Sequence, residues 1–198
     1  MNTPYPNYDV LAKWNSPSFD DQTRSVLSQR LTAIPERRFF TAAEWALLEA
    51  VVARVLPQPE RAEPIPITPW IDDMLHRRRG EGFRHDNMPP MPAAWCRGLA
   101  AIDAEAMRLR GAGFRELDNE GADAVLAALA NDEADPALWQ GVPAQRFFID
   151  ILVKTIAGVY YSHPAAWSEI GFGGPASPRG YVRLGFDERD PWEGRERA

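Results

Sequence analysis

The side chains best suited to catalysis or metal binding are three histidines, His76, His85 and His163, and a single cysteine, Cys96. None of the histidines lies three or four residues from another histidine or from the cysteine, so the sequence contains no helical pair of metal ligands. A single cysteine also excludes an internal disulfide and any cysteine-only zinc or iron–sulfur site within this chain. His163 precedes Pro164, and a capping or buried polar role is favoured there over general-base catalysis, because the sequence offers no catalytic partner.

Two acidic clusters could in principle supply paired carboxylates. Asp72 and Asp73 are adjacent in a predicted helix, and adjacent helical residues do not face one another, so they form a poor catalytic dyad. Asp132, Glu133 and Asp135 make up the second cluster. Carboxylates are rarely buried without partners, so we expect both clusters to lie on the solvated surface.

A basic run and a glycine-rich run complete the chemically suggestive stretches. The basic run "HRRRGEGFRH" (76–85) ends a predicted helix, where cations complement the helix dipole. Docking against an acidic partner is the alternative interpretation of this run. The glycine-rich run "GFGGPASPRG" (171–180) follows no strand, and its prolines lack the N–H groups that a phosphate loop needs. There is also no Gly-x-Ser-x-Gly sequence. Because the chain lacks paired metal ligands, a phosphate loop and a nucleophile motif, we expect no catalytic centre, cofactor or metal in it.

Composition restricts the class of protein further. The chain has 198 residues, 45% of them hydrophobic, which favours one globular domain with a buried core. The formal charge of −6 argues against a nucleic-acid-binding protein. Apolar runs are too short to span a membrane. Residues 1–21 lack a basic start followed by an apolar run, and Arg37 and Arg38 precede an amphipathic stretch, so we expect a cytoplasmic protein.

The elements that must position these residues are helices. Apolar residues recur at helical spacing in every long segment, and Thr41 with Glu44 forms a capping box. Helices are predicted over residues 19–31, from Thr41 to a stop at Pro57 and Pro59, over 68–79, 92–111, 118–131, 143–162 and, as a short closing element, from Pro164 through Ile170. Thr68 and Pro69 form an N-cap and first-turn pair for the third helix, and Gly80 and Gly82 end it. Leu99, Ile102, Ala106 and Leu109 form the apolar stripe of the fourth, and the helix over 143–162 has the broadest apolar face. The sequence therefore predicts an all-α domain of about five or six helices with Pro-rich connectors and an irregular C-terminal tail.

The predicted boundaries divide the chain into three parts. Residues 1–18 form an extended N-terminal arm, pinned by Tyr5, Tyr8 or Trp14. Residues 19–184 form the helical domain, and residues 185–198 form a flexible C-terminal tail.

Two stretches carry a family resemblance. "FTAAEWALLEAVVARVLP" (40–57) and "FFIDILVKTIAGVYYSHPAAWSEIGFGGPASPRGY" (147–181) resemble the gluconate 2-dehydrogenase subunit 3 family, the small or gamma subunit of bacterial dehydrogenase complexes. The likeness extends over most of residues 35–184 and is most specific where "HPAAW", "IGFGG" and "PRGY" occur in sequence. Residues 60–135 carry only a generic helical likeness.

The resemblance implies an accessory protein rather than an enzyme. Such a subunit binds and stabilises or matures a large FAD-dependent dehydrogenase of the glucose–methanol–choline type, which acts on a sugar, a sugar acid or another alcohol. It has no cofactor of its own, and some complexes add a cytochrome subunit. Many members carry a twin-arginine export signal. None is readable here, so a periplasmic location would require export with a partner.

The end of the closing helix and the irregular segment after it form the predicted partner-binding site. Its aromatic and arginine side chains are of the types enriched at interface hot spots, and its prolines limit the entropy lost on docking. The site comprises Trp167, Ile170, Phe172, Gly173, Gly174, Pro175, Pro178, Arg179, Gly180 and Tyr181. The alternative is that this segment only covers the protein's own core. Two rival functions are weighed against this one. The first is an independent helical enzyme with a pocket joining His85, His163 and carboxylates. The second is a stand-alone regulatory or small-molecule-binding module with a sizeable apolar pocket.

Overall fold

Helices account for all the regular structure in the described part of the computed structural model, which covers residues 4–59, 61–79, 86–175 and 194–196. No strand occurs within these ranges, and the all-α prediction is confirmed. The α-helices are α1 (Asp21–Thr32), α2 (Ala42–Val55), α3 (Ile67–His76), α4 (Met91–Arg110), α5 (Asn119–Ala130), α6 (Ala144–Arg146) and α7 (Lys154–Ser162). A π-helical segment, Phe147–Val153, joins α6 to α7, and 3-10 helices lie at Val10–Lys13, Phe114–Glu116, Pro136–Leu138 and Pro164–Ile170.

The helix starts follow from local sequence. Asp20 and Asp118 cap α1 and α5 by accepting backbone N–H groups in the first turn, at 2.7 and 2.8 Å. The capping box before α2 is complete, because Thr41 Oγ1 accepts the N–H of Glu44 at 3.2 Å and Glu44 Oε2 accepts the N–H of Thr41 at 2.8 Å. Each cap satisfies donors that have no partner within the helix.

The predicted cap of α3 is wrong. Thr68 was expected to precede the helix, but α3 begins at Ile67, and no side chain caps it. Thr68 is instead buried within the first turn, at 4% exposure. The helix also stops three residues earlier than expected, before Arg78, which has a positive φ of 52°. The predicted terminators, Gly80 and Gly82, lie outside the described residues.

The contacts of the chain divide into two compact units, and the larger one is Pro35–Val159. Its centre is aromatic: the Trp95 ring lies edge-on to Phe40 and Phe147, with ring centroids 6.3 and 5.8 Å apart. The expected broad apolar face of the last long helix is found there, since Phe147, Phe148, Ile151, Leu152 and Ile156 are all buried. On α4 the predicted apolar stripe holds for Leu99, Ile102 and Ala106 but not for Leu109, which is 38% exposed.

The second unit combines the described residues of Met1–Ile34 with those of Tyr160–Ala198. Val10, Phe19, Leu27 and Trp167 form its apolar cluster, against which Tyr8, Leu11 and Trp14 pack. The N-terminal arm is therefore not extended throughout, because Val10–Lys13 is a 3-10 helix whose first residue is fully buried. The three predicted boundaries, 1–18, 19–184 and 185–198, stay a prediction.

Candidate partner-binding site

The candidate site begins at the 3-10 helix that closes the described C-terminal region. His163 precedes this helix, Pro164–Ile170, and its Nδ1 accepts the N–H of Ala165 at 3.3 Å. Proline suits the first helical turn because its missing N–H would have no partner there. His163 is only 9% exposed. The predicted capping role of His163 is thus confirmed.

Trp167 lies in the core instead of on the predicted partner-binding surface. It is 3% exposed, and its Nε1 donates to the carbonyl oxygen of Tyr161 at 2.8 Å. One ring edge meets Phe172, with centroids 5.2 Å apart and planes at 88°. Burial of a full indole with its N–H satisfied is favourable, which explains why the residue turns inward.

Two glycines of this segment are required by backbone geometry and close approach. Gly171 ends the helix with a φ of 66°, and a Cβ atom there would come within 2.6 Å of the Tyr5 ring. Gly174 has a φ of 76°, and a Cβ atom would lie 3.1 Å from Phe19 and 3.3 Å from Trp167. A side chain at either position would be strained, so these glycines allow the segment to pack against the N-terminal residues.

Two apolar side chains of the segment remain on the surface. Ile170 is 44% exposed and Phe172 is 42% exposed, although both lie on a backbone that is fixed by packing. Pro175 is half-buried at the end of this described range. Ile170 and Phe172 are therefore the predicted site residues that are available for an apolar contact. The other predicted members, Pro178, Arg179, Gly180 and Tyr181, lie outside the described residues.

The prediction that Asp72 is solvated is wrong. Its carboxylate is completely buried and accepts the backbone N–H groups of Arg38 at 2.6 Å, Phe39 at 3.1 Å and Phe40 at 2.8 Å. Asp73 is also buried, at 7% exposure, and pairs with Arg77 at 2.7 Å. Asp72 therefore acts as a structural acceptor that anchors the approach to α2.

The second acidic cluster and the basic run agree better with the sequence interpretation. Asp132 and Glu133 are exposed and Asp135 is half-buried. Residues 76–79 are exposed at the C-terminal end of α3, where positive side chains complement the helix dipole. Residues 80–85, which include His85, lie outside the described residues.

Sequence reasoning also missed a second buried acid with several hydrogen bonds, Glu105. It is fully buried on α4 and accepts the Nε–H of Arg108 at 2.7 Å, the N–H of Asp135 at 2.6 Å and the indole N–H of Trp139 at 3.2 Å. In the sequence near Glu105, only Arg108, three residues further along α4, indicates that this carboxylate has a partner. These bonds tie the loop after α5 to α4, which is a structural function.

Cys96 is a poor nucleophile in this environment. Burial, the negative charge of Glu44 and a hydrogen bond to that carboxylate together raise the pKa of the Cys96 thiol to about 11. Burial alone would raise the pKa of Glu44, but hydrogen bonds from the backbone and side chain of Thr41 hold it below its usual value. The thiol is therefore protonated at neutral pH, and the thiolate is the reactive form.

The described part of the chain contains neither a candidate metal site nor a candidate membrane-spanning helix. Among those residues no three His, Cys, Asp or Glu side chains are grouped in a way that could hold a metal ion. None of the helices described combines the length and apolar character needed to cross a bilayer.

Residues 42–174 match the profile of the family described as Gluconate 2-dehydrogenase subunit 3, which covers well over half of the chain. The chain belongs to the gluconate 2-dehydrogenase subunit 3 family. No curated protein and no solved structure matches it. The family resemblance predicted from the sequence is confirmed.

The match covers only the first part of the candidate site of this subunit 3 family member. It includes Ile170, Phe172, Gly173 and Gly174 and ends at the last of these, so the predicted members from Pro175 onward lie beyond it. The N-terminal residues that pack against them precede residue 42 and lie outside the match.

A second surface feature of this subunit 3 family member lies in the larger unit. An open, mainly apolar groove of about 560 Å³ runs between the end of α2 and the start of α3. Its walls are stiffened by the Gln58 side chain, which accepts the N–H of Ile65 at 2.8 Å and donates to its carbonyl oxygen at 3.2 Å. The prolines of the lining are Pro57, Pro59, Pro64, Pro66 and Pro69.

Proposed function

We propose that this chain is a non-catalytic accessory subunit that binds a large FAD-dependent dehydrogenase of the glucose–methanol–choline type and stabilises or matures it. The family match over residues 42–174 carries the proposal, because the family is named as a subunit of a dehydrogenase complex. The catalytic subunit acts on a sugar, a sugar acid or another alcohol and holds the flavin. A cytochrome subunit is a further partner in this proposal, and the complex is cytoplasmic unless the partner carries an export signal.

The exposed pair Ile170 and Phe172 supports a protein partner at this end of the chain. Both side chains stay more than two-fifths exposed even though the neighbouring glycines hold their backbone close to the N-terminal residues. A fixed backbone loses little conformational entropy on docking, so apolar side chains presented in this way bind efficiently.

The proposal is tested by co-expressing the tagged chain with the flavin dehydrogenase of the same source organism. We expect the two proteins to co-purify and the yellow flavin absorbance to follow the large subunit. The double substitution Ile170→Asp with Phe172→Asp should weaken the affinity at least tenfold, since an aromatic anchor at an interface contributes about 2 kcal/mol.

Val26→Asp is the matched control for this double substitution. Val26 is 41% exposed on α1 of the same unit, so Val26→Asp introduces one of the two negative charges at a similar exposure. Wild-type chain that fails to co-purify with any flavoprotein would refute the accessory function. Equal weakening by Val26→Asp would refute the assignment of the site.

A second candidate function, binding of a small apolar molecule, is favoured by the groove between α2 and α3. Its volume of about 560 Å³ lies in the range of small-molecule sites, which are mainly apolar. We would expect the fluorescence of the dye 1-anilinonaphthalene-8-sulfonate to rise on binding and to fall in an Ala53→Trp variant, which fills the groove. Dye fluorescence that is unchanged by Ala53→Trp would reject this candidate.

A further inference from the structure

Three contacts connect the N-terminal residues to the segment that carries Ile170 and Phe172. The ammonium group of Lys13 donates to the carbonyl oxygen of Gly173. The hydroxyl of Tyr8 donates to the carbonyl oxygen of Phe172 at 3.3 Å. The N–H of Val10 donates to Ser168 Oγ at 3.1 Å. All three therefore fix the segment on both sides of its exposed apolar side chains.

Lys13 is placed unusually for a lysine. It is only 7% exposed, whereas lysine is rarely buried unless its charge has partners. Besides the Gly173 carbonyl, its Nζ faces the Phe19 ring at 5.3 Å from the centroid, a cation–π distance. Since desolvating an ammonium group is unfavourable, contacts such as these help to offset the cost of burying it.

The aromatic rings of the N-terminal residues lie directly against the same segment. A Cβ atom at Gly171 would meet the Tyr5 ring at 2.6 Å, so ring and backbone are in contact. Tyr5 and Tyr8 are each half-buried and thus present part of their rings to solvent. The surface around Phe172 is therefore formed by stretches of chain that are far apart in sequence. Residues 194–196 also contact it, because a Cβ atom at Gly194 would lie 3.0 Å from Tyr5 Cδ1 and 3.2 Å from Tyr8 Cδ1, and the Tyr5 hydroxyl donates to Glu196 Oε1 at 3.1 Å.

We infer that residues Tyr5–Phe19 are part of the partner-binding site, with Lys13 as the positioning residue that holds Phe172 and Gly173 in the binding conformation. This inference rests on the proposed accessory function. It adds a segment that the family match, which begins at residue 42, does not include. The partner would contact Tyr5 and Tyr8 together with Ile170 and Phe172.

The test compares Lys13→Met, which keeps the length of the apolar stem, with Lys13→Arg, which keeps a cation and N–H donors. Lys154→Met is the matched control, because Lys154 is the other lysine of the chain and is exposed. In the full-length chain alone, amide hydrogen exchange at Phe172, Gly173 and Gly174 should be at least tenfold faster in Lys13→Met. In Lys13→Arg it should be partly restored, and in Lys154→Met it should be unchanged.

Affinity for the co-purified flavoprotein is measured on the same variants. A tenfold loss in Lys13→Met, with recovery in Lys13→Arg, supports the inference. Unchanged hydrogen exchange, or faster exchange with unchanged affinity, overturns it while leaving the accessory function intact. If the wild-type chain binds no flavoprotein, the accessory function fails and the inference fails with it, whereas the exchange data alone still report on the Lys13 contact.

Discussion

Gly98 on α4 and Phe147 in the π-helical segment are in direct contact, with no room for a Cβ atom on residue 98. Such an atom would lie within 2.7 Å of Phe147 Cε2 and closer still to two other ring carbons. The ring is fully buried and also packs edge-on to Trp95. The close approach of α4 to the last long helix therefore depends on a glycine at this position.

Gly98→Ala should accordingly destabilise the protein. Overpacking of a well-packed core costs about 1–3 kcal/mol, which exceeds the gain of up to about 1 kcal/mol from replacing a helical glycine by alanine. Gly158→Ala is the control: Gly158 lies within α7 and has no atom within 4 Å of its Cβ position. Urea unfolding followed by tryptophan fluorescence should show a loss for the first variant and a gain for the second. A gain for both would contradict the proposed contact.

The Asp72 carboxylate should be essential for stability. Replacing it with alanine leaves the buried or half-buried N–H groups of residues 38–40 without an acceptor, and the expected loss is roughly 3 kcal/mol. Glu133→Ala, at an exposed position without a positive φ, should change the free energy of unfolding by less than about 0.5 kcal/mol. Equal effects in chemical denaturation would mean that Asp72 is solvated in solution.

The raised pKa of Cys96 predicts slow alkylation. The rate of reaction with iodoacetamide should rise with pH toward a midpoint of about 11, compared with the unperturbed thiol value of 9.0. Because the folded pKa is raised, the contribution of this thiol to stability is fully present below about pH 9 and is lost as pH rises through 11.

Glu44→Gln should lower the midpoint of the Cys96 alkylation curve, since it removes the negative charge that opposes the thiolate. Glu49→Gln makes the same charge change on α2 and serves as the control. A midpoint near 9 in the wild-type protein, or no shift in Glu44→Gln, would contradict the predicted contact between Cys96 and Glu44.

The capping box at the start of α2 predicts a pH-dependent contribution to stability. The folded pKa of Glu44 is lowered below 4.5, so its contribution is present above that pH and is lost as pH falls through the folded value. Urea unfolding should therefore show a larger deficit of Glu44→Gln relative to wild type at pH 7 than at pH 3. Thr41→Ala removes the N-cap side chain and one of the hydrogen bonds that lower the pKa of Glu44, so it should cost about 1 kcal/mol at pH 7 and less at pH 3. A Glu44→Gln deficit that is independent of pH would contradict this assignment.

Interactions between residues close in sequence could be predicted without the structure. The Thr41–Glu44 box and the His163 cap are local: each is formed by residues at most three positions apart, and the structure contains both. The α3 cap shows the limit of the same method, because Thr68 and Pro69 also form a good local signal. Burial of Thr68 inside the first turn overrode that signal.

The candidate site was predicted only in part. The sequence indicated an irregular segment after the last helix, because glycine and proline density rules out a regular helix there. That this segment binds a partner stays a prediction. The sequence could not separate Trp167, which turns inward, from Ile170 and Phe172, which remain on the surface. All three are large apolar residues, and only the contacts made in the folded chain decide which of them is buried.

The sequence by itself determined that this protein is helical, where most helices begin and end, and which family it belongs to, because caps, periodicity and motifs are local patterns. Only the tertiary structure decided that Asp72 and Glu105 are buried acceptors and that Lys13 holds Gly173. The N–H groups that Asp72 accepts and the Gly173 carbonyl oxygen that Lys13 binds lie 32 or more residues away. A carboxylate or an ammonium group is solvated by default, and it becomes a buried anchor only when the fold brings matching donors or acceptors within hydrogen-bonding distance.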